Sequence, residues 1–182
     1  MEWILERLFT PEPRFLALSA PTGSGKSLLA VLSAILYGQR SIILTATKAL
    51  QEQYSHQLGD LNPEPLLDLV DIRGTGSYRC QMDHSVTADL GPCRVGVQCS
   101  ALYCPHKSAL GAAMKASQVL TNYACWMYNS EKLSEPEKNE VGLLVLDEAH
   151  KAHSQLSEFR AVEFQASMLE EYELDIPEPT TD

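Results

Sequence analysis

The sequence predicts an α/β protein in which a parallel sheet carries the connecting helices, with a small cysteine-containing segment inserted into it. Three observations support this fold class. Short apolar runs alternate with runs of helical spacing, a glycine-rich turn joins the first predicted strand to the first helix, and four of the five cysteines fall within 25 residues. With 182 residues, 45% of them hydrophobic, the chain is long enough for one domain with a buried core.

The first part of the chain alternates strands and helices. A helix that ends at Gly38 has a residue suited to a helix C-terminus, and the prolines at 62–65 end the helix that follows. The pattern predicts a buried strand at 14–21, a helix at 25–38, a strand at 41–47, a helix at 48–58 and a short strand within 66–74.

The second part is interrupted by residues 75–106, which mix Gly, Cys, Pro and polar residues without a clear period. We expect this insert to be ordered by something other than a hydrophobic core. The pattern then predicts a helix at 106–117, a strand at 118–122, an apolar strand ending in acids at 141–150 and an acidic, helix-prone tail from 151.

The net charge of −10 is unevenly distributed along the chain. Residues 1–129 hold ten acids and ten bases, whereas residues 130–182 hold fourteen acids and four bases. Residues 73–118 are locally basic, with five bases against two acids. Such a segment can bind a phosphate backbone even in an acidic chain, although an ordinary solvated surface explains the same charges.

No apolar run reaches the roughly 18 residues that span a bilayer, so no membrane partner is expected. Glu2, Glu6 and Arg7 interrupt the apolar N-terminus, which therefore does not resemble a signal peptide. We expect a soluble protein of the cytosol.

The turn APTGSGKS at 20–27 has the composition of a phosphate-binding loop. Glycines let backbone N–H groups point at phosphates, Lys26 would contact the β- and γ-phosphates, and the Ser27 hydroxyl would bind Mg²⁺. Ala20 stands where the pattern usually has its first glycine, and a chance glycine turn is the alternative. The ATP-binding residues predicted here are Thr22, Gly23, Ser24, Gly25, Lys26 and Ser27.

Two acids, Asp147 and Glu148, follow the apolar strand at 141–146. Asp147 would bind Mg²⁺ directly or through water, and Glu148 would orient and polarise the attacking water. Acids in this position can also cap the next helix, and both roles can hold at once.

Four cysteines, Cys80, Cys93, Cys99 and Cys104, are separated by 12, 5 and 4 residues. In a chain without a secretion signal, such a cluster indicates a metal more often than disulfides. Thiolates are the ligands of iron–sulfur clusters, and no C-x2-C pair typical of zinc ribbons is present.

Zinc stays open as an alternative, with His84 or His106 replacing a cysteine, and so do unligated thiols. Cys125 lies in an apolar run and is expected to be a core thiol.

The phosphate loop together with DEAH at 147–150 resembles the superfamily 2 helicases, in which alanine is common at the first loop position. The stretch TATKALQEQY at 45–54 resembles the next motif of that superfamily. By this resemblance, His150 couples the nucleotide site to the DNA-binding side.

The order of phosphate loop, TAT, four cysteines, VLTNYACWM and DEAH is similar to that of the XPD/DinG-type iron–sulfur helicases, with DinG the closer match. RGTGSYRC at 73–80 and YCPHKSALGAAMKASQVLTNYA at 103–124 resemble the two borders of their cluster domain. The resemblance implies a RecA-like P-loop NTPase sheet whose insert holds a [4Fe–4S] cluster on the four cysteines.

The resemblance implies four segments: a first part of RecA-like domain 1 (1–73), the iron–sulfur insert (74–118), the DEAH part (119–152), and the start of an arch-like insert or an acidic tail (153–182). The implied activity is ATP-dependent, 5′ to 3′ movement on single-stranded or forked DNA, as in DNA repair, in a bacterial cytosol or nucleoid or a phage-infected host.

Against the family pattern, the chain is expected to be an incomplete motor, because a second RecA-like domain would supply the arginine that stabilises the transition state. It should be poorly active alone. A non-catalytic DNA-binding module and an unrelated P-loop ATPase or kinase are the alternatives. Tyr78, Arg79 and Tyr103 could grip single-stranded DNA or pack around a cluster, and Asn122 and Tyr123 could line the DNA path or form a strand-end turn.

Overall fold

The computed structural model describes residues 6–7, 10, 15–21, 23–61, 68–99, 104–134 and 140–160. In this part of the chain the helices are α1 (Lys26–Leu36), α2 (Lys48–Leu61), α3 (Pro105–Ala113), α4 (Tyr123–Leu133) and α5 (Ala152–Arg160). The strands are β1 (Ser41–Thr45), β2 (Leu69–Asp71), β3 (Gln118–Asn122) and β4 (Leu143–Leu146). Short 3₁₀ turns lie at Thr75–Ser77, Pro92–Val95 and Ala149–Lys151.

The four strands form one parallel sheet in the order β2-β3-β1-β4. Thr45 is in register with Asn122, and Leu44 with Leu146, so the carboxyl ends of β1, β3 and β4 meet at one edge. Loops at this edge of a parallel sheet are where α/β proteins place their ligands. The predicted α/β fold with a parallel sheet is confirmed.

Alternate residues of the central strands face opposite sides of the sheet, and a buried cluster lies on each side. Ile42 and Val119 belong to one buried cluster, and Ile43 and Leu120 belong to the other. Side chains of α3 and α4 complete the first cluster, whereas α1 and Tyr54 of α2 complete the second. The strands are therefore nearly continuous hydrophobic runs, as expected for a sheet covered on both faces.

The predicted strand at 14–21 is wrong for the residues that the structure describes. Residues 15–20 are not part of the sheet, and Phe15 is 83% exposed. Leu16 and Leu18 are also exposed. An apolar run becomes a strand only when a neighbouring strand offers a free hydrogen-bonding edge, and no described strand pairs with this segment.

The helix α4 is not among the sequence-based predictions. Asn122 supplies its start, because the side-chain oxygen of Asn122 accepts a hydrogen bond from the backbone N–H of Cys125 at 2.9 Å. The other predicted helices and strands are present; the strand at 118–122 has the predicted bounds, and most of the others have shifted ends. The helix predicted at 106–117 covers Pro105–Ala113, and the helix at 48–58 continues to Leu61.

The cysteine-containing insert has little regular structure. Residues 75–99 form two 3₁₀ turns and one antiparallel bridge between Arg79 and Thr87. Gly91 packs so closely on Cys80 that a Cβ atom there would lie 3.0 Å from its Sγ. What orders this segment stays a prediction. Among the described residues, none of the helices has the length and apolar character needed to cross a bilayer.

Candidate nucleotide-binding site

The glycine-rich loop reaches α1 through left-handed backbone. Gly23 and Gly25 have φ angles of 79° and 83°, a region that L-residues rarely adopt. A Cβ atom at either position would meet nothing within 4 Å, so the backbone angle, and not crowding, is what requires glycine. Thr22, which we predicted as an ATP-binding residue, lies outside the described residues.

Lys26 is the first residue of α1, and its ammonium group folds back over the loop. Its Nζ donates to the carbonyl oxygens of Ala20 at 3.1 Å and Pro21 at 3.0 Å. The positive end of the helix and the ammonium group therefore lie together at the loop. A phosphate placed there would meet both a cation and backbone N–H donors.

Asp147 follows β4 directly and is held by four hydrogen bonds. Its N–H donates to the carbonyl of Leu44 at 2.9 Å, and its own carbonyl accepts from the Tyr123 hydroxyl at 3.1 Å. The carboxylate accepts from the N–H of Glu148 at 3.0 Å through Oδ1 and from the Tyr54 hydroxyl at 3.0 Å through Oδ2. The carboxylate thus has a fixed position at the carboxyl edge of the sheet.

Tyr54 connects Asp147 to the phosphate loop. Its side chain is 2% exposed, and the Ser27 side chain lies close enough to its hydroxyl to affect its pKa. Burial raises the pKa of Tyr54 well above its usual value, the nearby Ser27 hydroxyl lowers it, and the charges of Asp147 and Glu148 raise it further. The phenol therefore stays neutral and keeps its proton. Sequence reasoning missed Tyr54, although it lies within the 45–54 motif.

Glu148 has the left-handed φ of 52°, which is uncommon for a residue other than glycine. Its carboxylate lies 3.3 Å from the Nδ1 of His150. It precedes the short helical turn at Ala149–Lys151 but makes no side-chain capping bond, so the structure gives no support to a capping role for it. Strained backbone of this kind is often found at functional sites.

The oxygen atoms at this edge suit a magnesium ion. Mg²⁺ prefers hard oxygen ligands such as carboxylates, hydroxyls and phosphate oxygens. The Ser27 hydroxyl and the Asp147 carboxylate are brought to one place through Tyr54, although they are far apart in the sequence. The residues predicted for Mg²⁺ therefore fit the ion chemically.

The four predicted cluster ligands lie in or beside the insert. Cys80 and Cys104 are buried, whereas Cys93 and Cys99 are half-buried. Desolvation raises the pKa of the Cys99 thiol, Lys107 lowers it, and the nearby thiols of Cys104 and Cys93 raise it. A cavity of about 500 Å³ is lined by Cys93, Cys99 and Lys107, with residues 96–98.

The thiols fit the chemistry of an iron–sulfur or zinc site, but they do not form a closed ligand set in the structure. Within the described ranges, no three His, Cys, Asp or Glu side chains are arranged to hold a metal ion. The assignment of Cys80, Cys93, Cys99 and Cys104 as cluster ligands stays a prediction.

The residues predicted near DNA have other partners in the structure. Tyr78 packs edge-on against His106, with 5.4 Å between ring centroids, and its hydroxyl accepts from the N–H of Arg73. Asn122 and Tyr123 are buried and hold α4 and Asp147. Arg79 is exposed, and Tyr103 lies outside the described residues.

The sequence profile of the DEAD/DEAH box helicase family matches residues 4–176. This chain belongs to that family. Asp147, Glu148 and His150 belong to the sequence DEAH at 147–150, and an unrelated P-loop kinase no longer fits a chain of this family.

No curated protein matches the chain. Among solved structures, the crystal structure of a hypothetical ATP-dependent RNA helicase from Sulfolobus tokodaii is similar, with 12% identity and a TM-score of 0.38. The similarity covers 78% of this chain and 44% of that one, so this chain spans less than half of that helicase.

Proposed function

We propose that this chain binds ATP and Mg²⁺ as part of the motor of a DNA helicase that moves along single-stranded DNA. The observation that carries the proposal is the meeting of the phosphate loop and the DEAH box. The Tyr54 hydroxyl donates to Asp147 after β4 and lies near Ser27 at the start of α1. A loop for phosphates beside a carboxylate for Mg²⁺ is what ATP binding requires.

The proposed roles are those expected of the two motifs. Lys26 would exchange its two carbonyl partners for the β- and γ-phosphates, while Ser27 and Asp147 would hold Mg²⁺. Glu148 orients and polarises the attacking water, and the imidazole of His150 is near enough to hold the Glu148 carboxylate. When bound, Mg²⁺ would neutralise charge on the phosphates. By resemblance, His150 also couples this site to the DNA.

The insert is the part of the proposal that distinguishes a DinG-like helicase from other members of the family. Cys80, Cys93, Cys99 and Cys104 would hold a [4Fe–4S] cluster, whose contribution is to order a segment that has no core of its own. The Cys93 and Cys104 thiols lie close enough to Cys99 to raise its pKa, which supports this assignment. One zinc in place of the four irons is the alternative that a metal assay separates.

Single-stranded DNA is the nucleic acid along which the motor is proposed to move. The insert carries the cations Arg79, Arg94 and Lys107, and all three are exposed. Such groups can neutralise backbone phosphates. Movement in the 5′ to 3′ direction, on single strands or forks, is proposed from the resemblance.

The nucleotide site is tested with a fluorescent ATP analogue, titrated with and without Mg²⁺. We expect binding that Mg²⁺ tightens, and loss of at least tenfold in affinity for Lys26→Ala, because an ion pair with phosphate is removed. Lys115→Ala is the matched control, since Lys115 is an exposed cation near the opposite edge of the sheet. Equal affinities for the wild type and Lys26→Ala would overturn the site.

The metal content of the insert and the preference for DNA are tested on protein purified without oxygen. We expect a broad visible absorption band, four irons and four sulfides per chain, and their loss in Cys80→Ser. Fluorescence anisotropy should show tighter binding of single-stranded DNA than of RNA of the same sequence. A colourless protein with one zinc would replace the cluster by a zinc site, and preference for RNA would overturn the choice of DNA.

A further inference from the structure

We infer that Tyr54 is a positioning residue for the magnesium ion, which fixes the oxygen atoms that Ser27 and Asp147 present to it. The inference rests on the proposed function, because it concerns how the same site binds Mg²⁺. Tyr54 lies in α2, outside both the phosphate loop and the DEAH box, so neither motif accounts for it.

The number of protons at the three side chains sets the direction of the hydrogen bonds. An ionised carboxylate can only accept, so the single proton of the Tyr54 hydroxyl goes to Oδ2 of Asp147 at 3.0 Å. Because its proton goes to Asp147, the Tyr54 oxygen can only accept, so a hydrogen bond with the nearby Ser27 hydroxyl would have Ser27 as the donor. That arrangement would turn the Ser27 proton toward Tyr54 and leave the lone pairs of the Ser27 oxygen for a cation.

The same hydroxyl holds the orientation of the Asp147 carboxylate. Oδ1 accepts from the backbone N–H of Glu148, and Oδ2 accepts from Tyr54. Among the described residues, Tyr54 is the side chain that donates to this carboxylate. Each carboxylate oxygen retains a further lone pair, and the two donors fix where those lone pairs point.

The position of the hydroxyl is itself set by the core. The Tyr54 ring packs in the buried cluster that includes Val31, Ala34, Ile43 and Leu120. The ring is therefore held by residues of α1 and of two strands, independently of any ligand. A donor fixed in this way orients metal ligands before the metal arrives, as outer-shell partners of metal sites commonly do.

The test is Tyr54→Phe, which removes the hydroxyl and keeps the packed ring. The concentration of Mg²⁺ that gives half of its effect on binding of the fluorescent nucleotide should rise by roughly tenfold. Nucleotide affinity in excess EDTA and the melting temperature should stay close to those of the wild type. Tyr128→Phe is the matched control, because Tyr128 is 77% exposed on α4.

A second variant tests whether Tyr54 also affects Mg²⁺ binding through Ser27. Ser27→Ala should also raise the Mg²⁺ concentration that gives half of the effect on nucleotide binding, here called the midpoint. Tyr54→Phe should raise this midpoint by a smaller factor in the Ser27→Ala background than in the wild type, because the two groups act on one ion. A wild-type midpoint in Tyr54→Phe, or full additivity with Ser27→Ala, overturns the role of Tyr54. Failure of the wild type to bind the nucleotide at all overturns the proposed function instead.

Discussion

The side-chain amide of Asn122 donates to the Oε1 of Gln51 at 2.8 Å, and both side chains are buried. Gln51 donates in turn to the Asp71 carboxylate and, at 2.9 Å, to the carbonyl of Ile72. These bonds connect the ends of β2 and β3 to α2, the helix that also carries Tyr54. A buried network of this kind stabilises a unique arrangement only when every member is satisfied.

Replacing Asn122 by Ala should lower the free energy of unfolding by about 2 kcal/mol, since it removes both a helix cap and the donor to Gln51. Asn122→Ser keeps an oxygen for the cap and should lose roughly half as much. Urea unfolding followed by circular dichroism measures both. Equal stabilities for the two variants would show that the cap contributes nothing and that the donor to Gln51 alone matters.

The Arg40 side chain connects the carboxyl ends of α3 and α4. Its guanidinium donates to the carbonyls of Ala113 at 2.8 Å, Leu133 at 3.2 Å and Ala116. Arg40→Met should lower the free energy of unfolding by about 2 to 3 kcal/mol, because these half-buried carbonyls lose their donor. Lys115→Met, at an exposed position beside them, should change it by less than about 0.5 kcal/mol. A similar loss in both variants would assign the effect to charge.

The regular part of the fold could be predicted because its signal is local. The β-branched run at 41–47 and the apolar run at 118–122 each have the composition of a strand, and both are strands in the sheet. The segment 14–21 has similar composition, but its state depends on a neighbouring strand that composition does not reveal. Helix α4 was missed because its apolar residues are not regularly spaced, although Asn122 before it is a typical helix-capping residue.

The candidate site likewise contains residues that local motifs reveal and residues that only the folded structure reveals. Lys26, Ser27 and Asp147 could be predicted because short motifs place each beside a strand end or helix start. Tyr54 could not, because its hydroxyl meets Asp147 across 93 positions of sequence and only the packing of α2 brings them together. The closure of the cysteines around a metal is not predictable from spacing alone, since it depends on loop conformations within the insert.

Gly25→Ala should weaken nucleotide binding more than the addition of one methyl group would suggest. Its φ of 83° costs an alanine about 1 to 2 kcal/mol, so the loop is expected to relax and lose roughly five- to thirtyfold in affinity. Gly111→Ala is the matched control, because Gly111 lies in α3 with nothing within 4 Å of the added Cβ. The control should be more stable by about 0.5 to 1 kcal/mol and bind as the wild type. Unchanged affinity in Gly25→Ala would mean that the left-handed angle is not needed for binding.

Cys125 is predicted to be inert toward thiol reagents in the folded protein. Its side chain is 4% exposed, and burial raises its pKa, against the effect of hydrogen bonds from Thr121 and Asn129. A raised pKa leaves less of the reactive thiolate at a given pH, so labelling at pH 8 should be slow and should quicken as the pH rises.

The measurement is a count of reactive thiols in metal-free protein, made with a chromogenic disulfide before and after adding urea. Cys125→Ala should show the same number of fast-reacting thiols as the wild type when folded, and four in place of five when unfolded. Cys99→Ser is the comparison, because Cys99 is half-buried beside the cavity and should remove one fast-reacting thiol. Loss of a fast-reacting thiol in Cys125→Ala would place Cys125 at the surface and contradict its position in the core.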